Sequence, residues 1–485
     1  MKRNNQVMLI TYADSLGKNL AELGEALACW FDGAVGGVHI LPFFPSSADR
    51  GFAPMEYGKV DPAFGTWADI DALGSRYYLM FDFMINHISA HSDYYQDFLR
   101  NKDASVWRDL FLRYRDFWPG GEPTQEEIGL IYKRKPRAPY TEARFADGSA
   151  EKVWCTFDPE QIDLNVGTET TKRFIGDTLL SLVSHNMSIA RLDAFAYAVK
   201  KRGTNCFFVE PEVWELLANV RRLLEPTGAV LLPEIHEHYS IQLKLAENGY
   251  WVYDFALPML VLSALYLHDS VPLQNWLRIC PRKQFTTLDT HDGIGVVDVK
   301  GLLSDEDIER TKEMLYTKGA NVKQVYSSAA YNNLDVYQIN CTYYSALGND
   351  DDAYLLARAI QFFAPGIPQV YYVGMLAGAN DLARMEATKQ GREINRHSYT
   401  LDEIGRETER PVVRSLRSLM RFRNTCPAFG EDGECVIVET PADQLEIRRA
   451  GGGCEAVLRA DLASRQFRIT YGFAGETPKV LGLES

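Results

Sequence analysis

The chain has no Cys-x-x-Cys pair, no apolar run long enough to span a bilayer, no low-complexity tract and no surplus of positive charge. Each absence excludes something. Lysine and arginine number 51 against 65 aspartates and glutamates, a net charge of −14. A surface of that sign repels nucleic acid and anionic membranes, while leaving room for a local basic pocket that takes a small anion. The eight cysteines (Cys29, Cys155, Cys206, Cys280, Cys341, Cys426, Cys435 and Cys454) are scattered, several in apolar context. They read as free thiols in a reducing cytoplasm rather than a disulfide framework. The N-terminal segment, Met1 to Gln6 and then the short apolar run Val7 to Tyr12, has too little apolar sequence for a secretory signal. The expectation is a cytoplasmic protein with no nucleic-acid and no membrane partner. The charge does not choose between monomer and homodimer.

What is present is a rhythm. At 485 residues the chain exceeds one simple core. Eight short apolar runs read as buried strands: 7–13, 35–44, 77–84, 188–193, 229–235, 251–257, 284–289 and 368–373. Amphipathic stretches at 18–31, 168–184, 211–224, 272–279 and 352–363 lie between many of them. Eight β-then-α repeats predict an α/β protein of the (β/α)8 TIM-barrel class rather than an open sheet. Two long spans interrupt the repeat and read as inserted subdomains. The first, 88–167, is dense in aromatics and ends in a basic stretch from Tyr132 to Arg137. The second, 293–351, carries a helical piece at 305–317. The expected division is therefore barrel in 1–87, 168–292 and 352–434, inserts in 88–167 and 293–351, and a small antiparallel β-domain in 435–485. Alternating runs at 436–438 and 467–470, with the triplet Gly451–Gly453 as a turn, mark that last domain.

Carboxylates recur where the predicted strands end. Asp82 lies near the end of the third strand with Asn86 and His87 just after it, Asp193 closes Ser188–Asp193, Glu234 closes Ala229–Glu234, and His291-Asp292 follow Phe285–Thr290. Arg191 lies two residues before Asp193, on the same face of a strand, where a guanidinium keeps a carboxylate ionised and oriented. An ionised, fixed carboxylate is able to attack an anomeric carbon. The apolar strand before Glu234 implies partial burial, which suits a proton donor. A third carboxylate, Asp292, is placed to bind the hydroxyls beside a reacting carbon. Such a set, at the C-terminal ends of barrel strands, is what cleavage of a glycosidic bond requires. His236 and His238 flank Glu237, but His-x-His on a loop is weak support for a metal, and no metal site is expected. Asp49 and Phe52 follow the second strand, and Tyr197 follows Asp193. All three are suited to gripping or stacking on a sugar ring, and Phe52 is equally at home in a core.

Taken together the segments Asp82–His87, Arg191–Tyr197, Pro233–His236 and Leu288–Gly295 resemble, in order and strand placement, the four signature regions of the α-amylase superfamily. Met8–Lys18, Asn333–Asn340, Tyr371–Gly374 and Gly391–His397 resemble the branch of that superfamily that splits sucrose with phosphate. The resemblance implies Asp193 as nucleophile, Glu234 as acid/base and Asp292 as transition-state stabiliser. It implies that Asp49, His87, Arg191, His291 and Arg396 hold the glucosyl unit and the nucleophile, with Phe52 and Tyr197 as its aromatic wall. It further implies that Asp335, Tyr337 and Gln338, with a basic loop near Arg134, receive fructose or phosphate in turn. The substrates and products would be sucrose, inorganic phosphate, α-glucose 1-phosphate and fructose, with no cofactor. Sister enzymes acting on sucrose 6-phosphate, glucosylglycerol or glucosylglycerate are the alternative, and Tyr337 favours plain sucrose.

Overall fold

The computed structural model describes residues 4–135, 137–322 and 338–483. The fold divides into two compact units. The first is built on 40–235; the second takes 4–39, 236–322 and 338–483 of the described residues.

In the second unit the parallel strands β1 (Met8–Thr11), β2 (Gly37–Ile40), β6 (Val252–Asp254), β7 (Gln284–Thr287) and β8 (Ile367–Tyr371) run in the order β6-β7-β8-β1-β2. In the first, β3 (Tyr78–Met84), β4 (Met187–Asp193) and β5 (Val230–Pro233) run in chain order. The cyclic order of eight parallel strands with helices between them is that of a (β/α)8 barrel, as the repeat predicted. β3 is buried at every position, which is why it reads as an unbroken apolar run and not as an alternation. Helix Glu169–Ser184 starts where the Thr168 hydroxyl accepts the amide of Thr171, and buries Phe174, Ile175, Leu179 and Leu182 on one stripe.

Between β3 and β4, strand His87–Ser89 pairs antiparallel with Gln161–Asp163, and Tyr140–Arg144 forms a hairpin with Ala150–Trp154. Trp118 and Trp154 stack at 5.9 Å beneath Tyr114, closing an apolar cluster with Leu112 and Ile131. Arg113 ties the hairpin down with a forked ion pair to Glu151 at 2.7–2.9 Å. In the second unit Ile294–Gly295 and Asn321–Val322 flank Gln338–Asn340 in a small antiparallel sheet. Five antiparallel strands, from Glu434–Val438 to Lys479–Val480, end the chain in sequential order. This sheet begins two residues earlier and runs further than the alternating runs indicated. Its middle strands, Gln444–Gly451 and Cys454–Asp461, turn at Gly452-Gly453, both in the left-handed region. All eight cysteines are free thiols. Among the described residues no helix is long and apolar enough to cross a membrane.

Candidate active site

In the first unit the register of the sheet gathers four charged side chains at the carboxyl ends of β3, β4 and β5. Asp82 is the cross-strand partner of Arg191, and Met84 that of Asp193. The Arg191 guanidinium donates to Asp82 and, at 2.8 Å, to Asp193 Oδ1, while Glu234 Oε1 lies 3.7 Å from its other nitrogen. Glu234 is fixed from behind, since its Oε2 accepts the Ala194 amide at 3.0 Å. Ala194 reaches that position by adopting a left-handed conformation, φ 52°. Three carboxylates thus share one cation. Burial pushes the Asp193 carboxyl up to about 8; Glu234 and Asp82 push the same way, and Arg191 opposes them. Arg191 therefore orients Asp193 without holding it ionised, which corrects the sequence expectation. The proton retained belongs to the coupled cluster rather than to a single group.

Around this cluster, His87 is buried with Nε2 2.9 Å from the Phe52 carbonyl. Burial lowers its pKa, so the ring is neutral at pH 7. Phe52 lies 6.0 Å from the Arg191 guanidinium. The turn that presents it holds Asp49 and Arg50 at φ 53° and 47°, and Gly51 at 105°. A Cβ on Gly51 would lie 2.4 Å from the Pro42 carbonyl, so only glycine fits there. Tyr197 is buried against Phe157, whose ring in turn meets His87 at 5.5 Å. The Arg134 guanidinium sits over the Tyr197 ring at 5.9 Å, on the wall of a small cavity that Lys133, Arg137 and Lys200 also line. Arg137 and Lys200 are tied to neighbouring groups. Arg137 donates to the carbonyls of Ala138, Tyr140 and Phe157, and Lys200 pairs with Asp163 at 2.6 Å.

In the second unit Asp292 sits among cations. Arg392 lies 3.3 Å from its Oδ1 and His291 3.6 Å from Oδ2. Burial acts to raise the Asp292 carboxyl, but Arg392, His291, His236 and Arg396 together outweigh it and hold the group well below the usual carboxylate range. The backbone of this loop is gripped from the side: Arg396 donates twice to the His291 carbonyl, at 2.9 and 3.1 Å, and Asn395 donates to the carbonyls of Thr290 and Asp292. Arg396 and His291 both meet the ring of Tyr12. Behind the loop Asp289 forms a buried pair with Arg358 at 2.6 Å. A Cβ on Gly374 would lie 1.9 Å from that carboxylate, which accounts for glycine in the Tyr371–Gly374 segment.

Of the residues singled out in the sequence, the first unit brings together Asp193, Glu234, Arg191, Phe52, His87, Tyr197 and Arg134, with Asp49 exposed on its turn. The second holds His291, Asp292, Arg396 and Gln338. Asp335 and Tyr337 lie outside the described residues. Sequence reasoning missed Phe157, Lys200, Arg392 and Asn395. The first lies in a stretch so rich in aromatics that no local pattern marks one ring. Arg392 and Asn395 were within a quoted segment, and their spacing to Arg396 was the available signal.

Comparison with known proteins fits this geometry. Residues 33–240 match the α-amylase catalytic domain family. The chain is 58% identical to a sucrose phosphorylase of Streptococcus mutans over 96% of its length and 97% of the relative's. It is 43% identical to a sucrose 6(F)-phosphate phosphorylase of Thermoanaerobacterium thermosaccharolyticum, over 97% and 98%. A crystal structure of the sucrose 6F-phosphate phosphorylase from Thermoanaerobacter thermosaccharolyticum superposes with a TM-score of 0.95 at 42% identity, covering 99% of this chain and 98% of that one. Fold and carboxylate set define a glucoside-processing barrel. Within that class, the chain belongs to the glucosyl-transferring phosphorylases of the α-amylase superfamily.

Proposed function

We propose that the protein is a sucrose phosphorylase, moving the glucosyl unit of sucrose to inorganic phosphate with retention of the α-configuration. The observation that carries this reading is Arg191 in ion-pair range of both Asp193 and Glu234. Asp193 attacks the anomeric carbon as Glu234 protonates the departing fructosyl oxygen. Phosphate then attacks the glucosyl ester with Glu234 as its base, and two inversions restore the α-anomer. The chemistry needs carboxyl groups about 5–5.5 Å apart. Asp292, held ionised by its cations, is suited to bind the sugar hydroxyls as positive charge develops. Asp49, His87, His291 and Arg396 serve the glucosyl unit, and Phe52 and Tyr197 wall it.

Phosphate instead of water is favoured by a cation at the acceptor side. Arg134 is the candidate, because its guanidinium sits over the Tyr197 ring on the wall of the basic cavity. Asp335, Tyr337 and Gln338 complete the acceptor loop in this reading. The barrel is divided at 88–167 and 293–351 by the two inserts, and 435–485 is a separate β-domain. The free cysteines support a cytoplasmic enzyme, acting as monomer or homodimer. The test is release of α-glucose 1-phosphate from sucrose with and without phosphate. Release that depends on phosphate is expected; free glucose regardless of phosphate would overturn the reading. Running the reaction backwards with fructose and with fructose 6-phosphate separates this activity from that of the sister enzyme.

A further inference from the structure

Within the second unit, Asp298 lies in the short turn Val297–Val299 just after strand Ile294–Gly295, 2% exposed. Among the described residues neither of its carboxylate oxygens has a hydrogen-bond partner. A buried carboxylate without one is destabilising, so its retention calls for a function. Its ion-pair contact is with the ring of His236, whose Nδ1 lies 3.5 Å from Oδ2. That is longer than a full hydrogen bond, and pairs of this kind tighten when substrate fills the site.

The surroundings of His236 are built around that contact. Its ring stacks on Phe255 at 3.7 Å and 17°, which fixes the plane. Its Nε2 lies 3.4 Å from the Gln338 amide nitrogen, and Gln338 is the cross-strand partner of Gly295. Gly295 leaves the space that Asp298 occupies: a Cβ there would lie 2.2 Å from Asp298 Oδ2. The same ring lines a cavity with Asp292 and is among the groups that depress it. One strand pair therefore sets both ends of the imidazole, an acceptor at Nδ1 and a donor at Nε2.

We propose that Asp298, seated in the space left by Gly295, is a positioning residue that accepts a hydrogen bond from Nδ1–H of His236 and so presents Nε2 of that ring to the acceptor half of the reaction. This rests on the phosphorylase reading above. With Nδ1–H held by Asp298, Nε2 accepts from Gln338 or takes up a proton when an anionic acceptor arrives, and the Asp298 carboxylate stabilises the imidazolium so formed. No bond to the sugar is made or broken by Asp298.

The test uses the full-length enzyme labelled with ¹⁵N-histidine, the His236 ring being assigned by its loss in H236Q. In the wild type Nδ1 carries the proton; in D298A the proton moves to Nε2. D298A lowers kcat/KM for phosphate by about 10- to 100-fold, the range for loss of a hydrogen bond to a charged group, and leaves KM for sucrose nearly unchanged. D298N, whose amide oxygen still accepts, recovers part of that loss. In an H236Q background D298A adds nothing. G295A displaces the carboxylate while keeping both side chains, and shifts the tautomer as D298A does, should D298A fold poorly. An unchanged tautomer in D298A and G295A, or a D298A loss as large without His236 as with it, overturns the proposal. Absence of glucose 1-phosphate release by the wild type would instead overturn the phosphorylase reading, and the ring spectrum would still report on Asp298.

Discussion

Asp193 and Asp292 are the same side chain, each largely buried, each in a different compact unit, and they titrate in opposite directions. Burial raises both. Around Asp193 it is reinforced, because Glu234 and Asp82 compete with it for one guanidinium. Around Asp292 it is overwhelmed, because Arg392 and Arg396 supply cations, His291 and His236 act in the same direction, and no second carboxylate is among the leading influences. What decides a buried carboxylate's state is the local count of charges, not depth. The difference also suits the two roles proposed. A group that must form and release an ester gains from an environment where charge is barely tolerated, and a group that must stay ionised throughout gains from a surplus of cations.

The comparison breaks first at the nucleophile. Asp193→Ala is expected to lower turnover of sucrose by on the order of 10⁴-fold or more, in both half-reactions, since no bond to the sugar can then form. Assays of glucose 1-phosphate release in wild type and variant check this, and substantial activity in the variant would remove Asp193 from the role. Asp292→Asn keeps the shape and removes the charge. We expect a loss of about 10²- to 10³-fold in kcat, the scale for one electrostatic stabiliser. A loss confined to KM would show that Asp292 only binds.

The two clusters differ, too, in how far the sequence foretold them. The strand ends were legible: buried parallel strands are unbroken apolar runs, so Asp193, Glu234 and His87 stood out at their edges. The pair Arg191–Asp193 was legible from its spacing. What sequence could not show was that Asp82, on the neighbouring strand, takes the same guanidinium, because register is set by packing along the whole sheet. That omission is why Asp193 was expected to be ionised. The partners of the Asp292 loop were half legible: Arg396 was singled out, but Arg392 and Asn395 act through contacts with a loop far away in the chain. Asp298 and Gly295 left no local sign at all, since a missing Cβ has meaning only beside the carboxylate that fills its place.

A smaller effect sharpens the comparison on the acceptor side of the first unit. Arg134→Ala is expected to reduce the phosphate-dependent step by about 10- to 100-fold, as for loss of a charged hydrogen bond, and to affect formation of the glucosyl ester much less. Single-turnover measurements separate the two steps. Equal losses in both would make Arg134 a support for the Tyr197 ring, and attention would shift to Lys133.

The smallest effect tests the comparison most directly, because it needs no substrate. An ordinary carboxylate in the unfolded chain titrates near 3.9, roughly. The coupled cluster around Asp193, whose carboxyl is raised to about 8, holds a proton in the folded state that the unfolded chain has given up. Its contribution to stability is full below pH 4, roughly, and is lost as the pH climbs through 8. Asp292 is depressed, so its contribution is present above that unfolded value and is lost as the pH falls through the folded one. Asp193→Asn should therefore melt higher than wild type at pH 8, with the gain fading toward pH 4. Asp292→Asn should melt lower at neutral pH, leaving Arg392 and Arg396 uncompensated, with the deficit shrinking in acid. Thermal unfolding from about pH 2 to 8 reads both, the Asp193 change above pH 4, roughly, and the Asp292 change below it. Shifts of the same sign in the two variants would mean that depth alone governs these carboxylates, and the contrast between the two clusters would fail.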